Sequence, residues 1–87
     1  MEYKIISNNY FNKKGEKLLT KNNRLNTKLK VCLKTLSENP LHLSLRLHKL
    51  ENTNYYSISL TMKIRILIRM NGNNIFLMDI GSHDDVY

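Results

Sequence analysis

The chain has 87 residues, 41% hydrophobic and 24% charged, with 14 Lys and Arg against 7 Asp and Glu and a net charge of +7. This length accommodates one small domain spanning residues 1–87 and excludes a barrel enzyme, a dinucleotide-binding fold or a two-domain arrangement. The apolar content is too high for a disordered chain, and no run of about 18 apolar residues offers a membrane span.

The first strand is expected over residues 3–7, Tyr-Lys-Ile-Ile-Ser, followed by a cap at Asn8 or Asn9. A helix over about residues 9–20 places Phe11, Leu18 and Leu19 near one face, and Gly15 weakens it by about 1 kcal/mol relative to alanine. Asn22 or Asn23 caps a second helix. Its residues Leu25, Leu29, Cys32, Leu33 and Leu36 recur with the period of an amphipathic helix, and Pro40 ends it while holding Asn39 extended. Lys28, Lys30 and Lys34 occupy the remaining surface of that helix.

Beyond Pro40 the apolar period changes to two. Leu43, Leu45 and Leu47 alternate with Ser44, Arg46 and His48, and then Tyr56, Ile58 and Leu60 alternate with Tyr55, Ser57 and Ser59. Ile64, Ile66, Ile68 and Met70 alternate with Lys63, Arg65, Leu67 and Arg69. Asn71-Gly72-Asn73-Asn74 is a hairpin signal. The last strand, residues 75–80, is apolar on both faces and is therefore expected to be central. The predicted architecture is α+β with the order β-α-α-β-β-β-β. A helical hairpin covers one face of a small, twisted, mainly antiparallel sheet.

Strand alternation then sends Arg46, His48, Lys63, Arg65 and Arg69 to the face away from the helices. Guanidinium groups bind phosphate through paired hydrogen bonds, and imidazole transfers protons near neutral pH, so this face is chemically suited to a phosphodiester. A solvated sheet face also carries such residues, and for Lys63 and Arg69 that is the simpler expectation.

Nine Lys and Arg against two Glu in residues 1–35 concentrate the positive charge in the N-terminal part, whereas residues 71–87 carry three Asp and no Lys or Arg. A basic body of this kind attracts polyanions, although surplus lysine also serves solubility. Cys32 is the only cysteine, which excludes an internal disulfide and a cysteine-based zinc site. His83-Asp84-Asp85 has the residue types of a metal site, but neighbouring residues rarely converge on one ion, so no metal is expected. The N-terminal residues lack the pattern of a secretory signal, and a cytoplasmic location is expected.

Leu45-Arg46-Leu47-His48-Lys49-Leu50, Tyr56-Ser57-Ile58-Ser59-Leu60, Arg65 and Asp79-Ile80-Gly81-Ser82-His83-Asp84-Asp85-Val86-Tyr87, in this order, resemble the RelE/ParE superfamily of toxin–antitoxin toxins. The resemblance covers nearly the whole chain. It implies the toxin of a type II toxin–antitoxin system, a ribosome-dependent and metal-independent mRNA endoribonuclease acting in the cytoplasm. Its implied partners are a cognate antitoxin, the ribosome and mRNA, with no membrane, cofactor or small-molecule ligand.

His48 and His83 match histidines of YafQ-like members, Arg65 matches the phosphate-holding arginine of RelE-like members, and Tyr87 resembles their terminal aromatic. The implied catalytic set is His48, Arg65 and His83, with Arg46, Lys49, Lys63, Arg69 and Tyr87 binding RNA. Ser59 stands where YafQ-like members carry a further histidine, and Lys63-Ile64 where they carry an acidic–aromatic pair. A gyrase-poisoning toxin of the ParE type and a catalytically degenerate binding module of the same fold remain open beside the nuclease.

Overall fold

A computed structural model describes residues 2–82. The strand β1 (Lys4–Ile6) leads into α1 (Asn9–Leu19) and α2 (Asn23–Glu38), and a short 3-10 turn follows at Leu43–Leu45. The chain then runs through β2 (His48–Lys49), β3 (Tyr55–Ser59), β4 (Ile64–Asn71) and β5 (Asn74–Ser82). Both helices begin at asparagine caps. Asn8 Oδ1 accepts from Phe11 N at 2.8 Å, and Asn22 Oδ1 accepts from Leu25 N at 3.0 Å. Each cap satisfies one of the backbone donors that a helix start leaves without an internal partner.

The sheet order is β1-β5-β4-β3-β2, with β1 parallel to β5 and every other pair antiparallel. The apolar last strand is therefore interior, as its two-sided hydrophobicity predicts. Residues Ile5, Ile58, Ile66, Ile68, Ile75, Leu77 and Ile80 meet Phe11, Leu19, Cys32 and Leu36 of the helices in one core. The buried stripe of α1 is Phe11, Gly15 and Leu19, whereas Leu18 is exposed. Gly15 thus lies on the packed face of its helix, where an added Cβ would stand 4.0 Å from Ile80 Cγ2.

At the hairpin the turn residues are Gly72 and Asn73, between the paired Asn71 and Asn74. Gly72 has φ +60°, so glycine serves the first central position of a two-residue turn. A β-bulge interrupts the β4–β5 ladder, where Leu67 pairs with Asp79 but the next residue, Ile68, pairs with Leu77. The extra residue, Met78, changes the phase of β5. Ile75 and Leu77 face the helices before the bulge and Ile80 faces them after it, which brings Gly81 opposite Arg65.

Residues 43–47 do not form the strand that their leucine alternation predicts. His42 Nδ1 accepts from Ser44 N at 3.1 Å and starts a 3-10 turn, which Arg46 ends in the left-handed region at φ 50°. Leu45 fills the core while Leu43 is 91% exposed, so the alternation does not mark two sheet faces here. Ladder pairing begins only at His48, which opens β2 rather than ending a strand. Gly81 lies within β5, paired with Arg65.

Candidate nucleic-acid interface

Cross-strand partners share a sheet face, so the register builds the surface away from the helices row by row. One row runs His48, Ser57, Leu67, Asp79. The next holds Ser59, Arg65 and Gly81. On the other side of the first row lie Tyr55, Arg69, Phe76 and Ile6. Ser57, in the middle of the first row, is fully buried, and Asp79 at its end is held by Lys14 of α1.

His48 and Arg65 stand two strands and two residues apart on it. Strand spacing and rise put their Cα atoms roughly 12 Å from one another, within the combined reach of an imidazole and a guanidinium toward one bound group. His48 is exposed and Arg65 half-buried, which leaves both accessible to a ligand. Arg69 projects from the same strand face, and its guanidinium sits 4.9 Å from the Phe76 ring centroid. With Tyr55 beside it, this forms a cationic, aromatic platform of the kind on which unpaired bases stack.

The other expected contact residues are distributed differently. Arg46 is not on the sheet, since it closes the 3-10 turn. It reaches Arg65 by another route, because both line a groove of about 320 Å³ together with Lys28. Lys63 precedes β4 in the turn after β3, where Thr61 Oγ1 accepts from Lys63 N and Ile64 N at 3.1 and 3.0 Å. Its predicted place on the strand face is therefore corrected to an exposed turn. Lys49 pairs with Tyr56, which belongs to the helix-facing set, and at this sheet edge it lines a separate groove with Arg69. His83 and Tyr87 lie outside the described residues. β5 ends at Ser82, one residue beyond Arg65's partner Gly81.

Lys28 is the site residue that sequence reading passes over as ordinary helix surface. Its signal was its position on α2, one turn before Cys32, but only the packing of α2 beside the 3-10 turn brings it to Arg46. Asp79 is tied to α1, with Lys14 Nζ donating to its Oδ1 at 2.7 Å. The Cys32 thiol is buried, and desolvation raises its pKa to about 11, so it is neither a ready nucleophile nor a metal ligand at neutral pH. Among the described residues, no three His, Cys, Asp or Glu side chains gather as a metal site, and no helix is long and apolar enough to cross a membrane.

No protein-family model matches the sequence, and no curated protein matches it significantly. Solved structures do. YafQ from E. coli strain BL21(DE3) superposes with a TM-score of 0.79 at 19% identity, covering 99% of each chain. The E. coli DinJ–YafQ toxin–antitoxin complex gives a TM-score of 0.80 at 18% identity, over 100% of this chain and 99% of that one. The YoeB–YefM complex from Staphylococcus aureus gives 0.76 at 20% identity, over 95% and 99%. This is the RelE/ParE toxin fold. Agreement over whole chains at such low identity shows that the two helices packed on a five-stranded mixed sheet are one shared architecture.

Proposed function

We propose that the protein is the toxin of a type II toxin–antitoxin system and cleaves mRNA on the ribosome without a metal ion. The observation that carries this reading is the placement of His48 and Arg65 on one sheet face, flanked by the Arg69–Phe76 platform. Metal-free cleavage requires a base for the 2′-hydroxyl proton, cationic donors for the phosphate and an acid for the departing 5′-oxygen. Arg65 supplies the charge that the pentavalent phosphorus centre needs, from a strand whose backbone is fixed on both sides. His48 supplies one proton transfer and His83 the other. The products are a 2′,3′-cyclic phosphate and a free 5′-hydroxyl.

The basic helices attach the protein to ribosomal RNA through charge. The fold shared with YafQ and YoeB, each solved with a protein partner, supports a cognate antitoxin as the neutralising partner. In a reconstituted translation reaction, primer extension on the mRNA reads cleavage directly. The wild type is expected to cut only when ribosomes are present. His48→Ala and His83→Ala lower the rate by about 10²- to 10⁴-fold, and Arg65→Ala by about 10²- to 10³-fold. An uncut message, or full activity in His48→Ala, overturns the reading; inhibition of DNA supercoiling without RNA cleavage would replace it with gyrase poisoning.

A further inference from the structure

Three cations from distant parts of the chain converge on the groove beside β4. Lys28 comes from α2, Arg46 from the end of the 3-10 turn and Arg65 from the strand, and Ser44, Ser59 and Thr61 line the groove with them. Among the described residues, no acidic side chain lines the groove. Among the described residues, none of the three cations forms an ion pair or a side-chain hydrogen bond. Like charges gathered without a counter-charge repel one another, and an anion with several oxygens relieves that repulsion.

Thr61 Oγ1 already accepts two backbone N–H groups, so its own proton is available to donate. Arg46 is held in place by its backbone, whose N–H donates to Leu43 O at 3.2 Å. The volume of about 320 Å³ is ample for a phosphate group. Arg65 belongs both to this groove and to the open face with His48, so a ligand in the groove adjoins whatever that face contacts.

We propose that Lys28, Arg46 and Arg65 bind a backbone phosphate of single-stranded RNA, adjacent to the linkage held between His48 and Arg65. This inference rests on the nuclease reading for its choice of ligand. Lys28 and Arg46 position the strand by charge and carry no base preference, as phosphate contacts do in general.

The test is fluorescence anisotropy with a labelled 2′-O-methyl oligouridylate octamer, which lacks the attacking hydroxyl and therefore reports binding alone. Lys28→Gln and Arg46→Asn each remove one charge, and asparagine tolerates the left-handed conformation at position 46. Each is expected to weaken binding about 3- to 10-fold and to reduce the slope of log affinity against log salt by about 0.7. Lys4→Gln on β1 removes the same charge away from the groove and is expected to change affinity less than about 2-fold. Wild type that does not bind at low salt, or groove variants no weaker than Lys4→Gln, overturns the proposal. The two readings separate cleanly. Groove-dependent binding by a protein that leaves mRNA intact on ribosomes keeps the phosphate site and refutes the nuclease, whereas cleavage with unchanged binding in both variants does the reverse.

Discussion

The Lys14–Asp79 pair joins residues 65 positions apart and ties α1 to β5 one residue beyond the bulge. Its N–O distance is 2.7 Å, and the side chains are 28% and 16% exposed, so solvent screens it less than an open surface pair. Hydrogen bonds to charged groups contribute about 1.5–3 kcal/mol, and the lower end applies here because Asp79 Oδ1 also accepts from Ile80 N at 2.8 Å and keeps a partner when lysine is removed. Lys14→Met preserves the aliphatic stem and is expected to cost about 1–2 kcal/mol, which for a domain of this size lowers Tm by roughly 5–10 °C. The same variant loses a lysine standing 5.8 Å from the Tyr10 ring, so a single substitution does not isolate the ion pair. A double-mutant cycle with Asp79→Asn does. Urea denaturation followed by circular dichroism should give a coupling of about 1 kcal/mol, and a coupling below about 0.3 kcal/mol, the usual additivity error, would refute the claim that this pair fastens the helix to the sheet.

Gly15→Ala should stabilise the protein by about 0.5–1 kcal/mol, since helix propensity improves and the new methyl group meets Ile80 at ordinary contact distance; a lower Tm would show that α1 packs too closely to admit it. Cys32 should resist iodoacetamide at pH 8 in the native protein and react once urea unfolds it, because burial pushes the thiol up to about 11. The same shift has a sign for stability. The unfolded chain loses this proton first, so the contribution of Cys32 is complete below about pH 9 and is lost as pH rises through about 11. Cys32→Ala should remove that alkaline dependence from the unfolding curve. Ile66→Ala, at a fully buried position in the middle of the β4 ladder, should cost about 2–5 kcal/mol in urea denaturation; a smaller loss would mean that the core there collapses around the gap.

Where one element faces water on one side and core on the other, its periodicity was readable from sequence. The α2 leucine stripe, the isoleucine alternation of β4 and the two-sided apolar β5 all fall in the predicted elements because burial there repeats with the local geometry. Leu43-Ser44-Leu45 also alternates, but its cause is different. The His42 cap and the left-handed Arg46 bend the backbone, and one leucine fills the core while another is left in solvent. Period two alone does not separate these cases. The bulge at Met78 has no residue signature either, because it is a property of pairing between β4 and β5.

The same distinction explains why the candidate site was only partly legible. His48 and Arg65 reach one face through strand register, and an alternation count finds that face for Arg65 directly. For His48 the count gives the right face from a strand that does not extend back to Leu43. Arg46 shows the limit most clearly. Counting alternate residues places it on the sheet beside Arg65, whereas the chain brings it to the same groove through a turn, with Lys28 arriving from a helix. Convergence of charge in this molecule is thus a tertiary property. Sequence supplies the cations, and the packing of α2 against the 3-10 turn decides which of them act together.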